Sequence, residues 1–121
     1  MELLFASFLE KCPDVITYAK NYFTVHFNLD YANAEGSISN YYPDFFVKTG
    51  EREILIVETK GLEDLDVPMK IARLKEWCKD INKSQKKIKF DFVFVDEEDF
   101  KKYRPNSFGE LVTSFRKYKN K

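Results

Sequence analysis

The sequence predicts a single α/β domain, and three observations lead to this class. The chain has 121 residues, the usual size of one domain, so residues 1–121 are interpreted as one unit without a second core. Apolar residues recur at helical spacing in some segments and form short aromatic and β-branched runs in others. The hydrophobic fraction of 44% and the aromatic fraction of 17% exclude a disordered chain, even with 33% charged residues.

The N-terminal part is predicted to contain helices followed by a strand. Apolar residues at helical spacing predict a helix over residues 2–11, and Pro13 interrupts it before a second short helical piece over 14–21. Aromatic and β-branched residues predict a strand over 22–31. The small, polar segment 32–40 is interpreted as a turn.

Two strand-like runs come next and form a predicted hairpin. YYPDFFVK (residues 41–48) and EILIVETK (residues 53–60) flank Thr49-Gly50-Glu51-Arg52, which is typical of a four-residue loop. The second run is apolar on both alternating faces at its start, as in a strand covered on both sides.

The C-terminal half predicts a long helix, one strand and two short helices. Asp66 is the expected cap of the long helix, with Pro68 in its first turn. Residues 88–95 alternate as a strand, and helices are expected over 96–103 and 108–118. The long helix carries one apolar stripe, with lysines and an arginine off it: Val67, Ile71, Leu74, Cys78 and Ile81.

The charges are unevenly distributed, although the net charge is zero. Residues 1–66 contain twelve acidic and five basic residues, a net charge of −7, and residues 67–121 contain eight acidic and fifteen basic residues, a net charge of +7. The basic half suits a phosphate backbone, but a solvated lysine-rich surface explains it equally well.

Cellular location is inferred from what the sequence lacks. No apolar run approaches the ~18 residues of a membrane helix, and the first residues do not resemble a secretory signal. Cys12 and Cys78 are far apart and outside any CxxC or Cys/His cluster, which argues against a zinc site or a disulfide framework. We therefore expect a cytoplasmic protein without a membrane partner.

Three charged residues lie in the predicted hairpin and suggest a catalytic site. Glu58 and Lys60 share one face at the end of a strand whose body belongs in the core. A four-residue loop places Asp44 opposite Val57 and next to Glu58, and one bulge residue places it directly opposite Glu58. Either register brings two carboxylates within about 4.5 to 8 Å of each other.

Two carboxylates this close repel each other unless a cation lies between them. Carboxylates, carbonyls and waters are the ligands that Mg²⁺ prefers, and the backbone carbonyl of Thr59 is a further candidate ligand. A metal there would activate water and neutralise phosphoryl charge, with Lys60 stabilising the transition state. The alternative is structural: Glu58 and Lys60 form a salt bridge, and Asp44 caps a turn.

The arrangement Pro43-Asp44 and Glu58-Thr59-Lys60, between two helices, resembles the PD-(D/E)XK nuclease superfamily. The strings YYPDFFV, VETKG, EDLDVPMK and WC are similar to the C-terminal endonuclease domain of type III restriction enzyme restriction subunits. This resemblance covers roughly residues 8–82. It implies a restriction-endonuclease-like αβββαβ core with a mixed sheet flanked by helices, and Mg²⁺-dependent endonuclease cleavage of DNA, with Mn²⁺ as an alternative metal.

The resemblance also implies roles for individual residues. Asp44, Glu58 and Lys60 would be catalytic, and Asp44, Glu58, Thr59 and Glu10 would hold the metal or its water, although an ordinary exposed acid is an equal alternative for Glu10. On the long helix, Lys70 is placed as a phosphate contact, and the basic face predicts the same for Arg73 and Lys79.

The implied partners are double-stranded DNA and a helicase-type ATPase motor or a methyltransferase subunit, with a homodimer as a further alternative. The chain itself contains no GxxxxGK[ST] phosphate-binding loop. Two other functions stay open: a non-catalytic DNA-binding or assembly module of the same fold, and a transposase or recombination nuclease subunit.

Overall fold

The computed structural model describes residues 2–20, 29–32, 35, 37–41, 44–60 and 66–116. The helices are α1 (Glu2–Lys11), α2 (Val67–Ser84), α3 (Glu97–Tyr103) and α4 (Phe108–Ser114). The strands are β1 (Thr17–Lys20), β2 (Leu29–Ala32), β3 (Ile38–Tyr41), β4 (Phe45–Gly50), β5 (Glu53–Lys60) and β6 (Lys89–Asp96). The described part thus contains both helices and strands, as expected for an α/β domain.

The main sheet has four strands in the order β1-β4-β5-β6 and is mixed. β1 and β5 both run antiparallel to β4, and β6 runs parallel to β5. The parallel pair needs a crossover connection, which α2 supplies. β2 and β3 form a separate antiparallel pair. The α/β class with a mixed sheet flanked by helices is therefore confirmed.

One face of the sheet packs against α1, α3 and α4. The Phe45 ring lies 5.2 Å from Phe5 of α1, and Phe5 lies 5.4 Å from Phe100 of α3. Phe45 and Phe5 are fully buried, as are Phe108 and Leu111 of α4. The aromatic richness of the sequence is thus used mainly to fill this layer.

The other face packs against α2. Trp77 makes an edge-on contact with Phe90 of β6, with ring centroids 5.3 Å apart. The Asn82 side chain both donates to the carbonyl of Phe90 and accepts from its N–H, which ties the end of α2 to the start of β6. The predicted apolar stripe is confirmed, since all of its members except the half-buried Ile81 are buried.

The hairpin between β4 and β5 differs from the prediction. Lys48 pairs with Ile54 and Gly50 pairs with Glu53, so Thr49 is an extra residue in β4 and the connection is shorter than the expected four residues. The Thr49 hydroxyl donates to the Glu53 carboxylate over 2.7 Å. This bulge shifts the register by one residue, which is the second of the two predicted alternatives.

The predictions for residues 14–40 are partly wrong. β1 occupies Thr17–Lys20, where a helical piece was expected, because pairing with β4 supplies its backbone hydrogen bonds. Asp14 instead accepts hydrogen bonds of 2.9 Å from the backbone N–H groups of Phe108 and Gly109 at the start of α4. β3 lies where a turn was expected, and most of the strand predicted over 22–31 lies outside the described residues.

The predictions for the C-terminal half are confirmed with small shifts at the boundaries. Asp66 precedes α2, but its side chain makes no capping hydrogen bond. Asp96 caps α3 by accepting from the N–H of Asp99, and Ser107 caps α4 by accepting from the N–H of Glu110. α4 ends at Ser114, earlier than predicted, because Phe115 and Arg116 are not part of the helix; residues 117–118 of the prediction lie outside the described part.

Both cysteines are buried and neither forms a disulfide. Burial, together with the nearby Asp14 carboxylate, raises the pKa of the Cys12 thiol from 9.0 to about 11. A thiol with so high a pKa is not a nucleophile at neutral pH, so Cys12 has a packing role. None of the described helices is long and apolar enough to cross a membrane.

Replacing Phe5 by Ala should lower the free energy of unfolding by about 3 to 5 kcal/mol, because it removes a buried ring that contacts other aromatic rings. Chemical denaturation measures this loss. Leu3→Ala is the matched control in the same helix: Leu3 is 87% exposed, so its loss should stay within ~0.5 kcal/mol. Equal losses for the two variants would contradict the placement of α1.

Candidate active site

The three residues predicted to be catalytic lie at one end of the main sheet. The paired residues of β4 end at Phe45, which lies opposite Val57, and Asp44 directly precedes Phe45. The Asp44 backbone N–H donates to the carbonyl of Val57 over 3.0 Å, which holds Asp44 against β5 beyond the end of β4. Asp44 therefore lies beside the end of β5 that carries Glu58 and Lys60, and the predicted approach of the two carboxylates stays a prediction.

The Asp44 carboxylate is held by Thr59. One oxygen, Oδ2, accepts from the Thr59 N–H at 2.9 Å and from the Thr59 hydroxyl at 2.7 Å. Thr59 is 4% exposed, so both hydrogen bonds are shielded from competing water. A carboxylate that accepts two such bonds is fixed in position and partly neutralised, which lowers the cost of placing it near a second acid.

Glu58 is more deeply buried than Asp44. Its side chain is 1% exposed, and both carboxylate oxygens are shielded from solvent. Strand alternation places it on the face of Ile56, opposite to the face of Thr59, and its partner in the parallel strand is the buried Phe94. Transfer of a carboxyl group from water to a buried position is unfavourable. A glutamate here therefore stabilises the fold less than an apolar residue of similar size would.

Lys60 is the last residue of β5, and its backbone pairs with Asp96 of β6. Its side chain lies outside the described part, so its predicted role stays a prediction.

Glu10 lies on α1 and accepts a 2.7 Å hydrogen bond from the hydroxyl of Tyr18 in β1. Tyr18 pairs with Val47 in the sheet, and its ring centroid lies 6.4 Å from that of Phe45. In the described part of the chain, no three His, Cys, Asp or Glu side chains form a group that could hold a metal ion. Glu10 is thus not joined to the other two acids in such a group.

The predicted DNA-contacting residues on α2 differ in exposure. Lys79 is exposed and Arg73 is half-buried, which agrees with a basic outer face. Lys70 is 7% exposed and belongs to the buried side of α2. The prediction that Lys70 lies on the outer basic face is therefore wrong, because Lys70 lies three residues after Val67 and so shares its face of the helix; its phosphate contact stays a prediction.

Sequence reasoning missed two contacts of the site, those of Thr59 and Tyr18. The Thr59 side chain was overlooked because the prediction used only its backbone carbonyl. A threonine next to one acid and across from another can donate to either, and this spacing was the available signal. The Tyr18 contact could not be found, since residues 14–21 were predicted to be helical.

The described residues also form a cleft far from Asp44 and Glu58. Its volume is about 460 Å³, and it is lined in part by Glu53, Leu55, Lys89 and Asp91, which belong to the first halves of β5 and β6. The acids Asp44 and Glu58 lie at the opposite end of the sheet. This cleft is thus separate from the candidate site.

The bond between Thr59 and Asp44 predicts a measurable coupling. Thr59→Val should lower the free energy of unfolding by about 1 to 2 kcal/mol in the wild-type background, because the hydroxyl donor is lost. In an Asp44→Ala background the same change should cost much less, which gives a coupling energy of about 1 kcal/mol in a double-mutant cycle.

Thr17→Val combined with Asp44→Ala is the control cycle, since Thr17 is exposed in β1. Its coupling energy should be close to zero. A Thr59 cycle without coupling would show that the hydroxyl does not hold Asp44.

Comparison of the chain with models of protein families, with curated proteins and with solved structures finds no match. A function for this domain must therefore be argued from its fold, from the chemistry of the β4–β5 hairpin and from its surface charges.

Proposed function

We propose that this domain is a metal-dependent endodeoxyribonuclease that hydrolyses phosphodiester bonds in DNA. One observation carries the proposal: Thr59 holds the Asp44 carboxylate at the end of β5, and Glu58 and Lys60 flank Thr59 in that strand. An acid pair with a neighbouring lysine is the set of groups that metal-assisted phosphodiester hydrolysis uses.

The topology supports the same proposal. Apart from the inserted β2–β3 pair, the order of the elements is a helix, three antiparallel strands of the main sheet, a crossover helix and a parallel strand. This is the αβββαβ order of the restriction-endonuclease-like core that the motif resemblance implies. A shared order of elements supports the proposed fold family, but function depends on the residues of the site.

The donor atoms at the site suit a hard divalent cation. The carboxylates of Asp44 and Glu58, with the backbone carbonyl of Thr59, are oxygen ligands of the kind that Mg²⁺ or Mn²⁺ takes. Glu58 is buried and directly precedes Thr59, which holds Asp44, so the proposed ligands come from adjacent positions at the end of β5. When bound, the metal would lower the pKa of a coordinated water and neutralise charge on the scissile phosphate.

Each residue of the chain then has a distinct task. Thr59 fixes the Asp44 carboxylate through two hydrogen bonds, so the ligand is positioned before the cation arrives. Glu58 supplies negative charge from the buried face of β5. Lys60 stabilises the negative charge that develops on the phosphate oxygens in the transition state.

The proposed DNA path runs along the exposed basic side of α2, which covers the same face of the sheet as Glu58. Arg73 and Lys79 are its phosphate contacts, and the buried Lys70 is not one of them. Phosphate contacts of this kind position the duplex without reading its sequence. A motor ATPase or methyltransferase subunit as partner, and a homodimer, are further proposals that depend on the family resemblance alone.

A non-catalytic DNA-binding or assembly module is the second candidate. The burial of Glu58 favours it, because a carboxylate that is 1% exposed reaches a hydrated metal only after a local rearrangement. The two candidates predict different responses to Mg²⁺: the nuclease needs it for DNA cleavage and is stabilised by it, and the non-catalytic module is not.

Plasmid nicking tests the chemistry directly. The protein should convert supercoiled DNA to open circles in Mg²⁺ and not in EDTA, and Lys60→Ala should reduce the rate by about 100-fold or more with DNA affinity retained. Lys87→Ala is the control, because Lys87 is an exposed residue before β6, at the opposite end of the sheet. Equal rates for Lys60→Ala and wild type would remove Lys60 from the reaction.

Thermal unfolding tests the metal site independently of activity. Mg²⁺ at about ten times its dissociation constant should stabilise the wild type by about 1.4 kcal/mol, a rise of about 5 °C in the melting temperature. Asp44→Asn and Glu58→Gln should each abolish this rise. Glu51→Gln, which changes an exposed acid in the turn between β4 and β5, should leave it intact.

Two results would contradict the metal site. The first is a wild-type melting temperature that responds to neither Mg²⁺ nor Mn²⁺, and this result would favour the non-catalytic module. The second is an equal response in the wild type and in both substituted proteins, which would place the cation elsewhere.

The salt dependence of DNA binding tests the path on α2. Reversing Arg73 and Lys79 to Glu should weaken binding to all sequences alike and flatten the slope of log affinity against log salt by up to about 1.8, at about 0.9 per phosphate contact. Lys102→Glu with Arg116→Glu is the control pair, because both residues are exposed on the other side of the sheet. If only the control pair changes the slope, DNA lies on the α3 side.

A further inference from the structure

A groove runs between α1 and α3, on the side of the sheet away from α2. Its volume is about 590 Å³, which is within the range of ligand-binding pockets. α1 contributes residues spaced as one helical stripe, and α3 and the residues after it form the other wall. The lining residues are Leu4, Ser7, Phe8, Lys11, Phe100, Lys101, Arg104 and Pro105.

The floor of this groove is apolar and partly open to solvent. Phe8 and Phe100 make an edge-on contact with ring centroids 5.3 Å apart, and Phe8 is only half-buried. Leu4 is 47% exposed. Phe5 and Leu9, on the adjacent stripe of α1, fill the core, whereas Leu4 is left exposed in the groove.

The rim carries one sign of charge. Lys11, Lys101 and Arg104 line the groove and are exposed, and none of the described residues that line it is acidic. The acids of α3 lie in its first turn, and Glu10 of α1 binds Tyr18. The groove therefore combines an apolar floor with three positive charges.

We propose that this groove binds an acidic amphipathic helix of a partner protein. Apolar residues of such a helix would cover Leu4, Phe8 and Phe100, and its carboxylates would pair with the lysines and arginine of the rim. A helix laid between two helices can bury one apolar stripe and leave its charged sides at the edges of the groove. The binding does not depend on nuclease activity, so it is testable whether or not the domain cleaves DNA.

The apolar floor distinguishes this surface from a nucleic-acid site. Phosphate contacts need exposed cations and polar groups, and they gain nothing from covering a leucine and two phenylalanines with a phosphodiester chain. The positive charges alone would suit either ligand. The floor favours a peptide whose own apolar side chains would otherwise be exposed to water.

Fluorescence anisotropy with three labelled peptides of about 14 residues, roughly four helical turns, tests the proposal on the full chain. The first has Leu and Phe at i, i+3, i+4 and i+7 spacing and Glu elsewhere. The second is a scrambled version, and the third has Lys in place of Glu. The acidic amphipathic peptide should bind with a Kd below about 100 μM, at least about tenfold tighter than the other two.

Adjacent residues provide matched controls. Leu4→Glu should weaken binding of the acidic peptide about tenfold or more, and Lys101→Glu about three- to tenfold, because both residues line the groove. Leu3→Glu and Lys102→Glu make the same chemical changes at neighbouring exposed positions outside it and should leave the Kd unchanged. Melting temperatures of the four variants check that all are folded.

Three results would overturn the proposal. In the first, the acidic peptide binds no better than the scrambled peptide or the lysine peptide. In the second, the two control variants weaken binding of the acidic peptide as much as the groove variants do. In the third, a duplex oligonucleotide displaces the peptide and itself loses affinity in Lys101→Glu, which would make the surface a nucleic-acid site.

Discussion

The pairing of β5 on both of its edges is the constraint on which the rest of the structure depends. β5 is antiparallel to β4 and parallel to β6, and five consecutive residues, 55–59, are buried. A strand in this position has no free edge and no face in contact with solvent along that stretch. Each side chain must therefore pack into the helical layer on one side of the sheet or the other. Aliphatic side chains fill both layers until Glu58, which is the first charged residue in the buried stretch.

The bulge at Thr49 sets the register between β4 and β5, and so determines which residues lie near the end of β5. A shift of one residue in an antiparallel pair exchanges the faces of every side chain. With the bulge, Phe45 pairs with Val57 and joins the aromatic layer of α1 and α3, and the backbone N–H of Asp44 donates to the carbonyl of Val57. The same local irregularity therefore places Phe45 in the core and Asp44 beside the end of β5.

The two sides of the sheet carry different charged groups. The α2 side carries the buried Glu58 and the exposed basic residues that we propose for DNA, and the α1–α3 side carries an apolar groove with a positive rim. Two separate surfaces of one small domain can thus serve two ligands at once. The chemistry at the strand end and the proposed protein contact are then independent, and each can be removed by substitution without loss of the other.

The elements predicted correctly are those with a strong local signal. The periodicity of α2, the two-sided apolar run of β5, the alternation of β6 and the caps Asp96 and Ser107 all reflect interactions between residues close in sequence. The β4–β5 hairpin was predicted because its two strand-like runs are close in sequence, and its register follows from loop length and strand alternation. For the same reason, the sequence left two registers open, and they differed by one bulge residue.

Tertiary structure decided the features that depend on distant partners. β1 is a strand because β4 offers it an edge, and Asp14 caps α4, whose first residue is 94 positions away. Thr59 binds Asp44 across the hairpin, and Lys70 is buried because α2 lies on the sheet with that side inward. Composition and residue spacing determined the fold class and the candidate acids, since these follow from local chemistry. Packing between elements determined which charges are buried and which are exposed, because burial depends on contacts that no local pattern contains.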